Sequence, residues 1–428
     1  MPGERRGKTE KENHEFSGGR KLRSLELFAG AGGLALGTAR AGFNHEWVIE
    51  CNKNAVATLN RNKEAGVGHL KDWNIFPDLI EDFDFSRIEP GLDLVSGGPP
   101  CQPFSLGGKH KGHDDKRNMF PHVVDAIGRL WPQAFIFENV KGLLRQVFAP
   151  YYSYIIHQLR YPTLKHRAKE TWEDHLSRLE KHHWKGVGSS DEWYRVTYLL
   201  LNAANYGVPQ KRERVIIVGV RADLGFEFKH PNPTHIEDSL IFDKWISEDY
   251  WRRVGIKNKD RPAPSPREIQ RARKIEQVIK RDELEFVNGK KAWVTVREAL
   301  NGLKPLREGQ TDPNDPNHYF NPGARSYPGH TGSSLDEPAK TLKAGDHGVP
   351  GGENTVRING NGDVRYLSVR EAARLQTFPD EYAFEGAWTE GMRQLGNAVP
   401  VLLAEIVAKK LAEDLREVSK GQALRNAL

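Results

Sequence analysis

Short apolar runs alternate with amphipathic stretches over the first half of the chain. Leu25-Glu26-Leu27-Phe28, Trp47-Val48-Ile49, the run Leu92, Leu94 and Val95, and Phe135-Ile136-Phe137 are too short for helices and read as buried strands. Leu34–Ala41, stopped by Gly42, and then Phe120–Leu130 and Tyr151–Arg160 carry a helical period. Tyr198–Leu201 and Val215–Val218 read as two more strands, with a polar, aromatic-sprinkled insertion at Tyr161–Asp191 before them. Strands alternating with helices predict an α/β fold with a doubly wound, mixed, Rossmann-like sheet. From Arg221 the period fades, and prolines, glycines and aromatics scatter to about residue 366. Within that stretch Ser265-Pro266-Arg267-Glu268 spells a capping box that opens a charged helix to about Arg281. A helical period returns at Ser368–Gln376, stops at Phe378-Pro379, and returns again from Pro400 to about Leu415.

The punctuation between these elements carries the candidate chemistry. The first strand runs into Ala29-Gly30-Ala31-Gly32-Gly33 and then a helix, the opening of a nucleotide-binding unit whose glycines let backbone approach a ligand. Glu50 ends the second strand, 20 residues after Gly30, where a carboxylate accepts hydrogen bonds from ribose hydroxyls. Asp72 and Trp73 suit an adenine amino group and ring face. This pattern alone leaves a nicotinamide cofactor and S-adenosylmethionine both open. Gly97-Gly98-Pro99-Pro100 stops the next strand on a stiff turn and presents Cys101, a thiol placed to act as a nucleophile or to be a buried structural cysteine. Gly107, Gly108 and Gly112 predict a mobile loop after it, where Lys109, Lys111, Lys116 and Arg117 would meet phosphates. Glu138 ends the Phe135–Phe137 strand and faces the same crevice as Cys101. Arg212 and Arg214 alternate at the mouth of a strand and read either as a clamp on an anionic or carbonyl group or as a solvated charge run.

Composition narrows the class. At 428 residues the chain exceeds one ordinary core, so two domains are expected. The net charge of +6 and pI near 9.0 suit an enzyme with one basic cleft that meets nucleic acid. Two cysteines exclude a disulfide framework, and no C-x-x-C pair suggests zinc, so a reducing cytoplasm fits and no metal is expected. No apolar run reaches membrane-spanning length, and the polar N-terminus, lacking an apolar core, reads as a short tail rather than a signal peptide.

Taken in order, these segments resemble the DNA cytosine-5 methyltransferases. The resemblance rests on Phe28–Gly33, Pro99-Pro100-Cys101-Gln102, Asp115-x-Arg117-Asn118-x-Phe120, Glu138-Asn139-Val140, Gln210-x-Arg212-x-Arg214, Arg370–Pro379 and Gly396-Asn397-Ala398-Val399-Pro400, spread over residues 25–400. It implies an S-adenosylmethionine-dependent fold, with a catalytic domain from residues 23–220 plus 386–428 and a target-recognition domain at 221–385, after a polar tail at 1–22. It also implies that Cys101 attacks carbon 6 of a flipped-out cytosine and that Glu138 holds ring nitrogen 3. Arg212 would hold the base carbonyl, with Pro100 and Asn139 alongside. The methyl donor is expected among Phe28, Gly30, Gly32, Gly33, Glu50, Cys51, Asp72, Trp73, Gly98, Asn397 and Val399, with Trp73 and Phe28 sandwiching the adenine. Cys51 stands where the family often has a bulky residue, and it is read as packing. The resemblance further implies duplex DNA as partner, a cognate restriction endonuclease, a monomer and a cytoplasmic, nucleoid-associated location. A tRNA methyltransferase, a catalytically silent DNA-binding module and a nicotinamide dehydrogenase are the alternatives. The intact Cys101 and Glu138 argue against the second, and Pro-Pro-Cys-Gln is unexplained by the third.

Overall fold

The structure is a computed structural model that describes residues 20–100, 118–185, 192–280, 289–326, 328, 331–344, 354–358 and 363–426. The first half builds β1 (Leu22–Leu27), α1 (Gly33–Arg40), β2 (Phe43–Ile49), α2 (Lys53–Glu64), β3 (Asn74–Phe76), β4 (Leu94–Gly97), α3 (Phe120–Leu130), β5 (Ala134–Val140), α4 (Ala149–Arg160), α5 (Trp172–Trp184), β6 (Tyr194–Asn202) and β7 (Glu213–Arg221). Among the described residues these strands form one seven-stranded sheet in the order β3-β2-β1-β4-β5-β7-β6. The strands from β3 to β5 run parallel, and β7 pairs antiparallel with both β5 and β6. The doubly wound mixed sheet expected from the alternation is therefore present.

Burial on both faces explains why the strands read as continuous apolar runs. Leu25, Leu27, Val95, Phe135 and Phe137 pack toward α3 and α4. Leu22, Leu94, Ile136, Ile216 and Val218 pack on the opposite face, against the C-terminal helix. The insertion at 161–191 holds α5, opened by a Thr171–Asp174 capping box.

The second half has only short strands among the described residues, of two to five residues each. It contains β8 (His235–Ile236), α6 (Glu237–Trp245), α7 (Asp249–Arg253), α8 (Pro266–Lys280), β9 (Lys291–Ala292), α9 (Val296–Ala299), β10 (Thr311–Asp312), β11 (Asp315–Tyr319), β12 (Thr355–Arg357), β13 (Val364–Tyr366), α10 (Val369–Leu375), α11 (Trp388–Asn397) and α12 (Val401–Asn426). The capping box expected before α8 is formed: Glu268 N–H donates to Ser265 Oγ at 3.3 Å, and Ser265 N–H donates to the Glu268 carboxylate at 2.8 Å. No described helix is long and apolar enough to cross a membrane. The last helix returns to the first: α12 lies along α1, where an added Cβ on Gly37 would stand 2.4 Å from Ala404 Cβ and 2.6 Å from the Val401 carbonyl.

Register fixes where the site falls. Strand order reverses between β1 and β4, and a doubly wound sheet binds ligands at the carboxyl ends of such strands. Leu27 pairs with Gly97, and Gly97 pairs with Phe137. The next residues, Phe28, Gly98 and Glu138, therefore emerge side by side at that edge.

Candidate active site

The crevice begins with a strained turn. Phe28 takes φ +54°, a left-handed conformation that is costly for an aromatic residue and recurs where a ligand dictates backbone. Gly30 (φ +56°) and Gly32 (φ +82°) continue the turn, and a Cβ on Gly30 would meet nothing within 4 Å. The turn thus opens onto free space. Glu50 braces it: one carboxylate oxygen accepts the Gly30 N–H at 2.6 Å and the other accepts the Asn52 N–H at 2.7 Å. Each oxygen keeps a lone pair for a further donor. Gly33 sits tight beneath, its missing side chain replaced by the Val399 carbonyl, 2.3 Å from where a Cβ would stand. Asn397, at the end of α11, is exposed close by in sequence.

Cys51 is exposed rather than packed, which corrects the expectation that it fills space. Partial burial and then the adjacent Glu50 charge push its thiol up, so it stays protonated and unreactive at neutral pH. Asp72 and Trp73 also depart from expectation. Both precede β3 and so lie at its amino end, and the Trp73 ring packs against the glycine turn, its Cζ3 3.8 Å from where a Cβ on Gly32 would stand. Trp73 is 1% exposed and packs edge-on against His45, with no ring face free to meet an adenine. Asp78, two residues past β3, is the carboxylate at the correct end. It is exposed and close enough to raise the Cys51 thiol. The sequence signal for it was the position of the strand, which Trp73 obscured.

The second constellation lies on β5. Glu138 is 7% exposed, and its Oε1 meets Arg214 Nε at 2.6 Å. The contact pairs opposite charges without hydrogen-bond alignment, so both atoms remain without an aligned partner. The other oxygen, Oε2, lies 3.4 Å from where a Cβ on Gly98 would be. Asn139 donates from Nδ2 to the Pro99 carbonyl at 3.1 Å and so holds the turn that ends at the exposed Pro100. Cys101 and the expected phosphate-meeting loop lie outside the described residues. Arg212 does not reach the base site. Its guanidinium is fully buried and donates to the carbonyls of Leu342 (3.1 Å), Gly396 (2.6 Å) and Ala398 (2.8 Å). Burial and then the Arg214 charge push it well below the ordinary arginine range. Arg214 is thus the arginine that faces Glu138. A cavity of about 370 Å³ opens beside it, lined also by Lys141, Asn202, Lys211 and Thr341. Among the described residues no cluster of three or more His, Cys, Asp or Glu side chains is arranged to hold a metal.

A family model for the C-5 cytosine-specific DNA methylases matches residues 22–161 and 163–413. The chain belongs to this family. It is a DNA cytosine-5 methyltransferase, and the methyltransferases of this family use S-adenosylmethionine. The methylase is 32% identical over 394 residues to the type II methyltransferase M.Sau96I of Staphylococcus aureus, covering 92% of this chain and 76% of that one. It is 29% identical over 399 residues to the type II methyltransferase M.NgoMIV of Neisseria gonorrhoeae, covering 92% and 98%. Among solved structures, an Escherichia coli prophage protein assigned as a DNA modification methyltransferase superposes with a TM-score of 0.54 at 19% identity, covering 92% of this methylase and 99% of that chain. At that identity the likeness establishes the shared fold.

Proposed function

We propose that this methylase modifies carbon 5 of a cytosine swung out of duplex DNA, with Cys101 as nucleophile and Glu138 and Arg214 as the groups that hold the base. The observation that carries the reading is the Glu138–Arg214 pair at the carboxyl end of β5, beside the turn that leads into Cys101. A cytosine ring presents nitrogen 3 and a carbonyl on one edge. Glu138 Oε1 and Arg214 Nε are adjacent, buried and without aligned partners, which suits that edge. Attack by the Cys101 thiolate at carbon 6 pushes electron density onto nitrogen 3 and carbon 5. Glu138 answers the charge at nitrogen 3 and Arg214 the charge at the carbonyl oxygen. Carbon 5 then takes a methyl group from the sulfonium donor, whose carbon–sulfur bond breaks to leave a neutral thioether, and loss of the carbon 5 proton to a base expels the Cys101 thiolate and restores the ring.

The donor crevice fits S-adenosylmethionine, which supplies the methyl group as a sulfonium. The open space above Gly30 and the two-pronged Glu50 carboxylate would take a ribose, and Asp78 would take the adenine amino group. Gly98, Asn397 and Val399 would close on its amino-acid end. Residues 221–385 would read the target sequence, with Leu367–Phe384 as the join to the catalytic half. The type II names of the relatives support a paired restriction endonuclease, and the reading extends to action as a monomer in a cytoplasmic setting on the nucleoid.

Duplex DNA carrying 5-fluorocytosine tests this reading, because the fluorine cannot leave as a proton does. With S-adenosylmethionine present, wild-type protein is expected to form a cross-link that survives denaturation, and Cys101→Ala none. Cross-linking by Cys101→Ala would defeat the nucleophile assignment. Methyl transfer to tRNA and not to duplex DNA would defeat the substrate. Bisulfite sequencing of methylated DNA would then name the target.

A further inference from the structure

The segment Tyr382–Glu385 has no regular secondary structure, yet its backbone is gripped from both sides. Asn62 of α2 donates to the Ala383 carbonyl at 2.7 Å and accepts the Ala383 N–H at 2.8 Å. Asn317 of β11 does the same to the next residue, donating to the Phe384 carbonyl at 3.0 Å and accepting its N–H at 2.7 Å. The Glu385 N–H goes to Thr58 Oγ1 at 2.9 Å. The N–H and C=O of two consecutive residues are therefore fixed by two buried asparagine side chains, one from the donor-binding half and one from the recognition region. β11 is itself anchored: Asp315 pairs with Arg370, and His318 shares a 2.9 Å hydrogen bond with Ser368, the cap of α10.

The segment starts with Tyr382, which is fully buried. Its hydroxyl donates to the Ala31 carbonyl at 2.7 Å, between Gly30 and Gly32 of the strained turn. The same oxygen lies 3.3 Å from where a Cβ on Gly32 would be. Phe378 and Phe384 pack on the Tyr382 ring at centroid distances of 5.1 and 5.3 Å, so the ring has no room to turn aside.

We propose that Tyr382 is a positioning residue for the methyl donor: its hydroxyl holds the glycine turn in the binding conformation, and the Asn62 and Asn317 grips hold Tyr382 in place. A turn with left-handed φ at Phe28, Gly30 and Gly32 has other conformations open to it. Glu50 holds the Gly30 N–H, and the buried hydrogen bond from Tyr382 to the Ala31 carbonyl completes the selection of one. The donor's affinity thus depends on Asn317, a residue of the recognition region that is not part of the donor crevice. This inference rests on the donor site proposed above.

Titration calorimetry of the full chain with S-adenosylhomocysteine tests it. Tyr382→Phe keeps the ring and removes the hydroxyl, leaving the Ala31 carbonyl buried and unpaired, and is expected to weaken binding about tenfold. Asn317→Ala is expected to weaken it about threefold, in the same direction. Urea unfolding of the same samples separates positioning from stability: variants still folded under the titration conditions yet binding weakly support the proposal. Folded Tyr382→Phe that binds as tightly as wild type overturns it, since the hydroxyl would then only complete the core. If Asn317→Ala fails to fold, Asn317→Asp keeps the acceptor for the Phe384 N–H and replaces the donor to the Phe384 carbonyl with a second acceptor oxygen, and unchanged affinity there overturns the distal half of the claim. Wild-type protein that does not bind the probe would defeat the donor site, and this inference with it.

Discussion

At the scale of single residues, the difference between Arg212 and Arg214 is one of backbone position. Gln-x-Arg-x-Arg puts both arginines on one alternation, and nothing local to the sequence tells which of them meets Glu138. The answer lies in pairing: Arg214 stands opposite Val140 on β5, beside Glu138, while Arg212 precedes β7 and is drawn to carbonyls at residues 342, 396 and 398. Those partners are over a hundred residues away in the chain, so no spacing rule reveals them. Arg214→Lys keeps the charge and loses the planar fork, and kcat is expected to fall about 10²-fold with donor affinity unchanged, as measured by methyl transfer and calorimetry. Glu26 makes a different prediction. It is fully buried on β1, with one oxygen accepting from Ser96 Oγ and the other without a partner, and burial pushes its carboxyl up to about 8. The folded chain then holds a proton that the unfolded chain releases above the ordinary carboxylate range, near 4.5. Stability is therefore lost as pH rises from about 4.5 to about 8, by on the order of 5 kcal/mol. Glu26→Gln should flatten that slope in urea unfolding followed across pH. An unchanged slope would place the proton elsewhere.

At the scale of elements, the helical period at Phe120–Leu130 matches the observed bounds, while α5, α6, α7 and α11 were not read from the sequence. Strand edges were harder to read. β3 is three residues long, and Trp73 next to it is as apolar as a strand residue, so the sequence reading places Asp72 past the strand when it precedes it. The glycines of α1 were legible as a ligand turn, but their second use was not. Gly33 and Gly37 lie one turn apart and let Ala398-Val399 and the start of α12, respectively, approach until backbone and Cβ atoms touch. Gly37→Val would push a branched side chain into the Val401 carbonyl and the Glu405 N–H, atoms that cannot step aside without moving the helix. A loss of about 3 kcal/mol is expected in the unfolding free energy read from urea titration, at the upper end of an ordinary overpacking change of a core side chain. Loss of donor binding should follow, since Gly33 and Val399 share the same helix contact.

At the scale of the whole molecule, the catalytic half is one body made from two distant stretches of chain. Its seven strands end at Arg221, yet one face of the sheet is covered by Leu403, Val407, Leu411 and Leu415 of α12, all buried. Each such side chain contributes about 1.5–3 kcal/mol on burial, so the four together rival the ~5–15 kcal/mol that separates a folded domain from its unfolded chain. The sequence signals a final amphipathic helix but not which face of the sheet it covers, because that contact joins residues some 360 positions apart. Residues 1–221 hold every strand of the sheet and should still fail to fold alone. Expressed without the rest, they are expected to be insoluble or to show no cooperative urea transition. Co-expressed with residues 222–428, the two pieces should assemble and bind S-adenosylhomocysteine, because the contact between them is a packed core rather than a peptide bond. A cooperative transition in the isolated 1–221 piece, with the donor analogue bound, would mean that α12 only decorates a sheet already stable without it. The Gly37 contact would then be dispensable as well.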